Sequence, residues 1–196
     1  MTTADPRGVC GILLVDKPEG LSSARVVAVV KRALDGIKVG HLGTLDPFAS
    51  GLLPLCVGEG TKLAPYINQS DKRYRGTIRL GVGTDTLDRT GREIAEAPVP
   101  TFCDADLESI AGKFLGEIQQ VPPMFSAIKK AGIPMYRLAR EGVAQELEPR
   151  TVTIHQLRLR RIAADRVEID VHCSKGTYVR ALARDVSTAL STVGLL

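Results

Sequence analysis

The stretch RYRGTIRLGV, residues 73–82, alternates without interruption: Tyr74, Gly76, Ile78, Leu80 and Val82 fall on one side, Arg73, Arg75, Thr77, Arg79 and Gly81 on the other. A period of two belongs to a strand with one face in a core and the other in water. The stretch therefore predicts a half-exposed strand whose outer face is basic. With four tyrosines, four phenylalanines and no tryptophan, surfaces on which a base could stack are scarce, and Tyr74 is the most suggestive of them. An aromatic interleaved with arginines is what a surface that grips phosphates and stacks a base shows. From pattern alone it is equally an ordinary strand tyrosine, half in the core.

Working outward, residues 83–92 (GTDTLDRTGR) are dense in turn formers and predict a loop. Asp104 to Gly116 predicts a helix, with Leu107, Ile110, Ala111 and Phe114 at helical spacing. Residues 119–150 mix prolines and basic residues around a short helix at Met135 to Arg140 and read as a projecting insertion. Val152 to Leu159 and Val167 to Cys173 alternate like two strands of a hairpin, and a helix follows with Val179, Leu182, Ala183 and Val186 as its apolar stripe. On the N-terminal side, VCGILLV (9–15) reads as a buried strand that ends in a turn at Asp16 to Gly20. Ser22 or Ser23 can cap the next helix, Val26, Val27, Val29, Val30, Ala33 and Leu34 form its apolar side, and Gly36 can end it. Residues 40–55 (GHLGTLDPFASGLLPL) then form a loop. No repeat or linker interrupts the pattern, so one α+β domain is the simplest organisation.

A chain of 196 residues with 44% hydrophobic and 24% charged residues can bury a substantial core without disulfides. Cys10, Cys56, Cys103 and Cys173 are scattered without a CxxC pair and read as reduced thiols. The apolar stretch at 9–15 is too short for a membrane span, and a cytoplasmic location is expected. The formal charge of +4 permits a nucleic-acid partner. GEGTK (58–62) lacks the phosphate-loop spacing and GVGTDT (81–86) lacks the third glycine of a dinucleotide fingerprint, so no nucleotide fold is indicated. His172 and Cys173 are strand neighbours that point to opposite faces and gain no second ligand cluster, which argues against a metal site, and His155 reads as solvated.

Within residues 40–55 a single carboxylate, Asp46, stands among glycine, proline, hydroxyl and apolar residues. Alone, Asp46-Pro47 reads as a helix N-cap with proline in the first turn. Its setting says more: Gly40, Gly43 and Gly51 let other groups approach the backbone, and flanking apolar segments can hold the loop rigid. His41 alone reads as a histidine bonded within its turn. Arg180 falls near the start of a helix, where a cation is disfavoured by the dipole, and this hints that another group holds it.

Taken in order, GILLVDKPEGLSS (11–23), GHLGTLDPFASGLLPL (40–55), DKRYRGTIRLGVGTDTLDRTG (71–91), VPPMFSAIKKAGIPMYRLAREG (121–142) and CSKGTYVRAL (173–182) make the chain resemble the TruB-type tRNA pseudouridine-55 synthases over nearly its whole length. The resemblance implies an α+β catalytic domain over 1–196, with a mixed, largely antiparallel sheet flanked by helices. The insertion at 119–150 would serve as a thumb that clamps the tRNA T arm. Asp46 matches the catalytic aspartate, Tyr74 the tyrosine stacked on the target base, and Arg180 the arginine paired with the aspartate. His41 and Tyr178 match residues lining the flipped-out uridine, and Lys17-Pro18 matches an element whose role is structural. Family members usually continue with a glycine, Ala-His and Leu-Arg-Arg segment and a C-terminal RNA-binding PUA domain; here the chain stops at STALSTVGLL, so both are expected to be absent.

The implied reaction breaks the N1–C1′ bond of uridine, rotates the uracil and joins C5 to C1′, with no redox change and no cofactor. A carboxylate beside C1′ can assist, either by covalent attack or by taking a sugar proton. The base stays in the pocket as the next nucleophile, so one carboxylate can suffice. An arginine beside Asp46 would keep it ionised despite burial. Tyr74 would return part of the unstacking cost of flipping. Arg73, Arg75 and Arg79, with Lys129 and Lys130, are expected to make salt-dependent phosphate contacts. The implied partner is tRNA, engaged by a monomer. The rival reading is a non-catalytic tRNA-binding fragment of a synthase; a glycoside hydrolase ranks last for want of a second carboxylate motif.

Overall fold

The computed structural model describes residues 8–67, 69–126, 129–130, 133–134 and 147–196. Its contacts divide the chain into two units, Met1–Ser70 and Asp71–Leu196.

The first unit contains strand β1 (Gly11–Lys17), helix α1 (Ser23–Ala33), strands β2 (Val39–His41) and β3 (Gly51–Val57), a 3-10 turn (Gly58–Leu63) and the short helix α2 (Ala64–Ile67). The strands form an antiparallel sheet in the order β1-β3-β2. Of the two capping serines it is Ser22 that accepts the Arg25 N–H (3.2 Å). Helix α1 ends when Asp35 turns left-handed (φ 49°) and the Gly36 N–H reaches back to the Lys31 carbonyl (2.9 Å). Val26 packs with Leu53 and Leu55, joined by Val15, Val27, Val30 and Val39.

Two expectations change here. VCGILLV does form a strand from Gly11 on, but it is not buried: Ile12, Leu13 and Leu14 are 47%, 41% and 65% exposed in succession, so both faces of β1 are open at its middle. Residues 40–55 are not one loop: His41 ends β2 and Gly51 already begins β3. Pro54 disguised that central strand. The N–H and C=O of one residue point to the same neighbour in an antiparallel ladder, and the Pro54 carbonyl accepts from Leu42, just beyond β2. The missing N–H therefore lies where pairing has already stopped. GEGTK closes the 3-10 turn, and Gly60 is glycine because a Cβ there would meet the Gly11 carbonyl oxygen at 2.5 Å.

The second unit contains β4 (Lys72–Leu80), β5 (Val82–Thr84), β6 (Glu93–Glu96), α3 (Asp104–Lys113), β7 (Gly116–Gln120), β8 (Lys129–Lys130), β9 (Ile133–Pro134), β10 (Arg150–Ala163), β11 (Arg166–Cys173), α4 (Val179–Ala189) and β12 (Gly194–Leu195). Its main sheet runs β12-β4-β11-β10-β7, and every ladder among the described residues is antiparallel, in keeping with the largely antiparallel α+β reading. Ile78, Leu80, Val167, Ile169 and Val171 turn to one face and meet Leu107 and Ile110 of α3 and Leu182 and Val186 of α4. The expected alternation of β4 holds to Leu80; Gly81 (φ 91°) then sends Val82 into the separate β5–β6 hairpin.

Helix α3 stops at Lys113 rather than Gly116, whose φ of 84° suits a turn leading into β7. Gln119 and Gln120, expected in the insertion, belong to β7 and pair with β10. The helix expected around Met135 to Arg140 lies outside the described residues. A register shift between Ile154 and Gln156 leaves His155 exposed, but it is more than solvated: its Nε2 lies 3.1 Å from Asp71 Oδ2 and its ring 5.0 Å from that of His172. All four cysteines are free thiols, and burial raises the pKa of Cys173. No helix among the described residues is long and apolar enough to cross a membrane.

On the outer face of the main sheet Asp170 takes Nε (2.9 Å) and Nη2 (3.2 Å) of Arg73 and Nη2 of Arg75 (3.2 Å). The Arg73 hydrogen bonds, followed by smaller contributions from Arg75, hold its carboxyl below the ordinary 3.8 against the opposing effect of burial. The ionised form is thus favoured by folding, a contribution present above 3.8 and lost as pH falls through the lowered value. Asp170→Asn should cost about 1 kcal/mol at neutral pH, kept small by the exposed arginines, and the gap from the parent chain should narrow progressively as pH falls below the ordinary carboxylate range; a urea-unfolding series from pH about 7 into acid measures both.

Candidate active site

A carboxylate can work on a bound group only if its backbone is fixed, and the connection from β2 to β3 is fixed at both sides of Asp46. One residue before it, the buried Ser23 hydroxyl donates to the Leu45 carbonyl (3.1 Å) and accepts the Leu45 N–H (3.0 Å). One residue after it, the Pro47 carbonyl accepts the Gly20 N–H (2.7 Å) and faces Lys17 Nζ (3.4 Å). Lys17 is fully buried, and its ammonium also donates to the carbonyls of Pro18 (3.0 Å) and Leu21 (2.7 Å). Burial pushes its pKa down, while the Asp46 and Glu19 carboxylates oppose the fall. The structural role expected for Lys17 is thereby given a form: it is the node that ties the turn after β1 to the Asp46 turn.

Asp46 does not cap a helix. Its carbonyl accepts the Ala49 N–H (3.1 Å), which closes a tight turn with Pro47 in the second position, and the chain goes straight on to β3. The residue is partly exposed. His41 is the last residue of β2, paired with Leu55, and its Nδ1 is buried with no hydrogen-bond partner among the described residues.

The other expected residues lie in the second unit. Tyr74, opposite Val171, is half-buried against the apolar core, on the face of β4 opposite to Arg73 and Arg75. Tyr74 and the arginines thus do not share one surface, as the interleaved reading supposed. Alternation itself separates them. Tyr178 is the N-cap residue of α4; its backbone N–H donates to Gln120 Oε1 (2.8 Å), and Gln120 Nε2 donates to its carbonyl (3.2 Å).

Arg180, second in α4, is 6% exposed. It donates Nη1 to the Thr86 carbonyl (2.7 Å) and Nη2 to the Phe125 carbonyl (3.0 Å), and Nη1 lies 3.5 Å from Asp88 Oδ2. Asp88 is itself 5% exposed, and its Oδ1 accepts from the Thr86 hydroxyl (2.9 Å), the Thr90 hydroxyl (2.6 Å) and the Thr90 N–H (2.9 Å). Gly91 completes this loop; a Cβ there would lie 2.6 Å from Asp85 Oδ1. The hint that another group holds Arg180 is answered by this acidic loop. Asp88 and Gln120 escaped the sequence reading. For Asp88 a signal was present in DTLDRT, where one carboxylate is ringed by hydroxyl residues able to donate to it; for Gln120 there was none.

These parts sit in a chain that belongs to the TruB family of pseudouridylate synthases, whose N-terminal domain model matches residues 31–179. Among curated proteins it is 48% identical to the tRNA pseudouridine synthase B of Psychrobacter cryohalolentis, over 96% of this chain and 54% of that one. It is 47% identical to the enzyme of the same name from Bordetella avium, over 92% of this chain and 75% of that one. The chain spans about half the length of the first of these relatives. Among solved structures it is similar to a Cbf5-Nop10-Gar1 complex, with a TM-score of 0.71 and 26% identity over 94% of this chain and 46% of that one. It is also similar to an H/ACA RNP bound to a substrate RNA containing 2′-deoxyuridine, with a TM-score of 0.66 and 25% identity over 94% of this chain and 44% of that one.

Removing Asp88 would take a buried carboxylate away from the Arg180 guanidinium and leave the Thr86 and Thr90 donors without their acceptor. Asp88→Ala should cost about 3 kcal/mol, read as a lower urea midpoint with an unchanged slope.

Proposed function

We propose that the chain isomerises uridine to pseudouridine in the T loop of tRNA, at position 55, with Asp46 as the catalytic carboxylate. Membership of the TruB family supports the reaction class. The relatives named tRNA pseudouridine synthase B support the RNA class. The observation that carries the assignment of Asp46 is its place on a turn pinned on both sides, by Ser23 and by Lys17.

In this reading the carboxylate acts as the N1–C1′ bond breaks, by attack or by proton removal. The uracil turns within the pocket, C5 bonds to C1′, the C5 proton leaves to solvent and N1 regains a proton. Tyr74 stacks on the flipped base, His41 and Tyr178 line its pocket, and Arg180 supplies the cation that keeps the catalytic carboxylate ionised. The T arm is engaged by a single copy of the chain, with the insertion between β7 and β10, residues 121–149, as the clamp.

The test is single-turnover release of tritium from a tRNA transcript labelled at uridine C5. One equivalent should be released by this chain, none by its Asp46→Asn variant, and none from a transcript with cytidine at the target position. Binding without release by either chain would favour a non-catalytic tRNA-binding fragment. Arg180→Lys keeps a charge but loses the planar, two-point donor, so its release rate should fall by about 100-fold or more; a rate near that of the parent would remove Arg180 from its assigned role.

A further inference from the structure

The outer face of the main sheet in the second unit carries six arginines from three strands: Arg73, Arg75 and Arg79 on β4, Arg166 on β11, and Arg158 and Arg160 on β10. All six are exposed. The register places Arg75, Asp170 and Arg158 in one row across the strands, Thr77, Glu168 and Arg160 in the next, and Arg79 beside Arg166 in the third. Strand spacing sets arginines of one row about 10 Å apart across β11, and the pleat repeats them about every 7 Å along a strand.

The carboxylates between them neutralise only part of this charge and hold the forks in position. Asp170 uses two of the five N–H groups of Arg73 and one of those of Arg75, and Glu168 engages Arg160 Nε (3.3 Å) and Nη2 (3.2 Å). The remaining N–H groups belong to side chains that stay 60%, 71% and 69% exposed. Arg79 and Arg158 have no ion pair or side-chain hydrogen bond among the described residues. A lattice of exposed planar forks, partly fixed before any ligand arrives and without a lysine among them, matches phosphate oxygens in a repeating array.

We propose that this face binds the ribose-phosphate backbone of the RNA substrate at a second place, distinct from the base-binding surface, which takes Tyr74 from the opposite face of the same strand. The inference rests on the RNA-modifying reading for the identity of its ligand. Backbone contacts carry no sequence information, so the face should hold any folded stem and supply the salt-dependent part of affinity.

The experiment measures the affinity of the full chain for a T-arm stem-loop and for an unrelated stem-loop across a salt series. Arg79→Gln combined with Arg158→Gln should weaken both by about tenfold at 0.1 M salt and reduce the log–log salt slope by about two. Arg25→Gln combined with Lys31→Gln removes the same charge from exposed positions of α1 and should leave the slope unchanged. Glu168→Gln, which releases Arg160, should strengthen binding and so guards against mistaking a folding defect for a lost contact. An unchanged slope in the Arg79 and Arg158 variant, or an equal fall in the α1 control, overturns the proposal. Tritium release is followed in parallel: a reduced slope with no release by the parent chain supports the surface while defeating the synthase reading, and release with an unchanged slope does the reverse.

Discussion

A cation taken out of water must be given oxygen atoms in exchange, and each unit of this chain is arranged around one such cation. In the first it is Lys17, satisfied by the carbonyls of Pro18, Leu21 and Pro47. In the second it is Arg180, satisfied by the carbonyls of Thr86 and Phe125 and by Asp88. Every one of these oxygens lies outside the regular strands and helices. Segments that would otherwise have many conformations are thereby held in one, and the carboxylates Asp46 and Asp88 are carried with them. Loop order here comes from electrostatic satisfaction together with apolar packing, as of Leu42 and Leu45 in the Asp46 connection.

How much of this could be read from the letters depends on the range of the interaction. Local rules located β4 through its alternation, α1 through its serine cap and valine stripe, and the β10–β11 hairpin through paired alternations. Pro54 hid a central strand because its acceptability depends on where β2 stops, which is a tertiary fact. β7 was missed because GEIQQ has little alternation of its own and is a strand only by lying on β10. Burial of β1 was overread because an apolar run does not say on which faces a sheet is covered.

The candidate site shows the same division. Asp46, Tyr74 and Arg180 stand out from their local setting, and the roles proposed for them, and for His41 and Tyr178, come from the family resemblance; its local pattern alone makes Asp46 a helix cap. The groups that fix them, Ser23, Gln120 and Asp88, act across 22, 58 and about 90 residues of sequence, so no window of spacing reveals them. The separation of Tyr74 from the arginines, by contrast, was already written in the period of two. Only the direction of the core was needed to interpret it.

The order of strands in the second unit also bears on how the chain is made. β4 lies between β11 and β12, and its ion pair between Arg73 and Asp170 spans 97 residues. During synthesis from the N-terminus, β4 leaves the ribosome long before either neighbour exists, with Ile78 and Leu80 unpaired and uncovered. Loop closure over such a span is slow compared with local helix formation. At about 5 to 20 residues per second of elongation, the nascent strand waits for several seconds. Arg73, Arg75 and Arg79 lie on its other face, and charge flanking an apolar strand opposes edge-to-edge association, so the charge that faces solvent in the finished sheet also acts against aggregation before the sheet is formed.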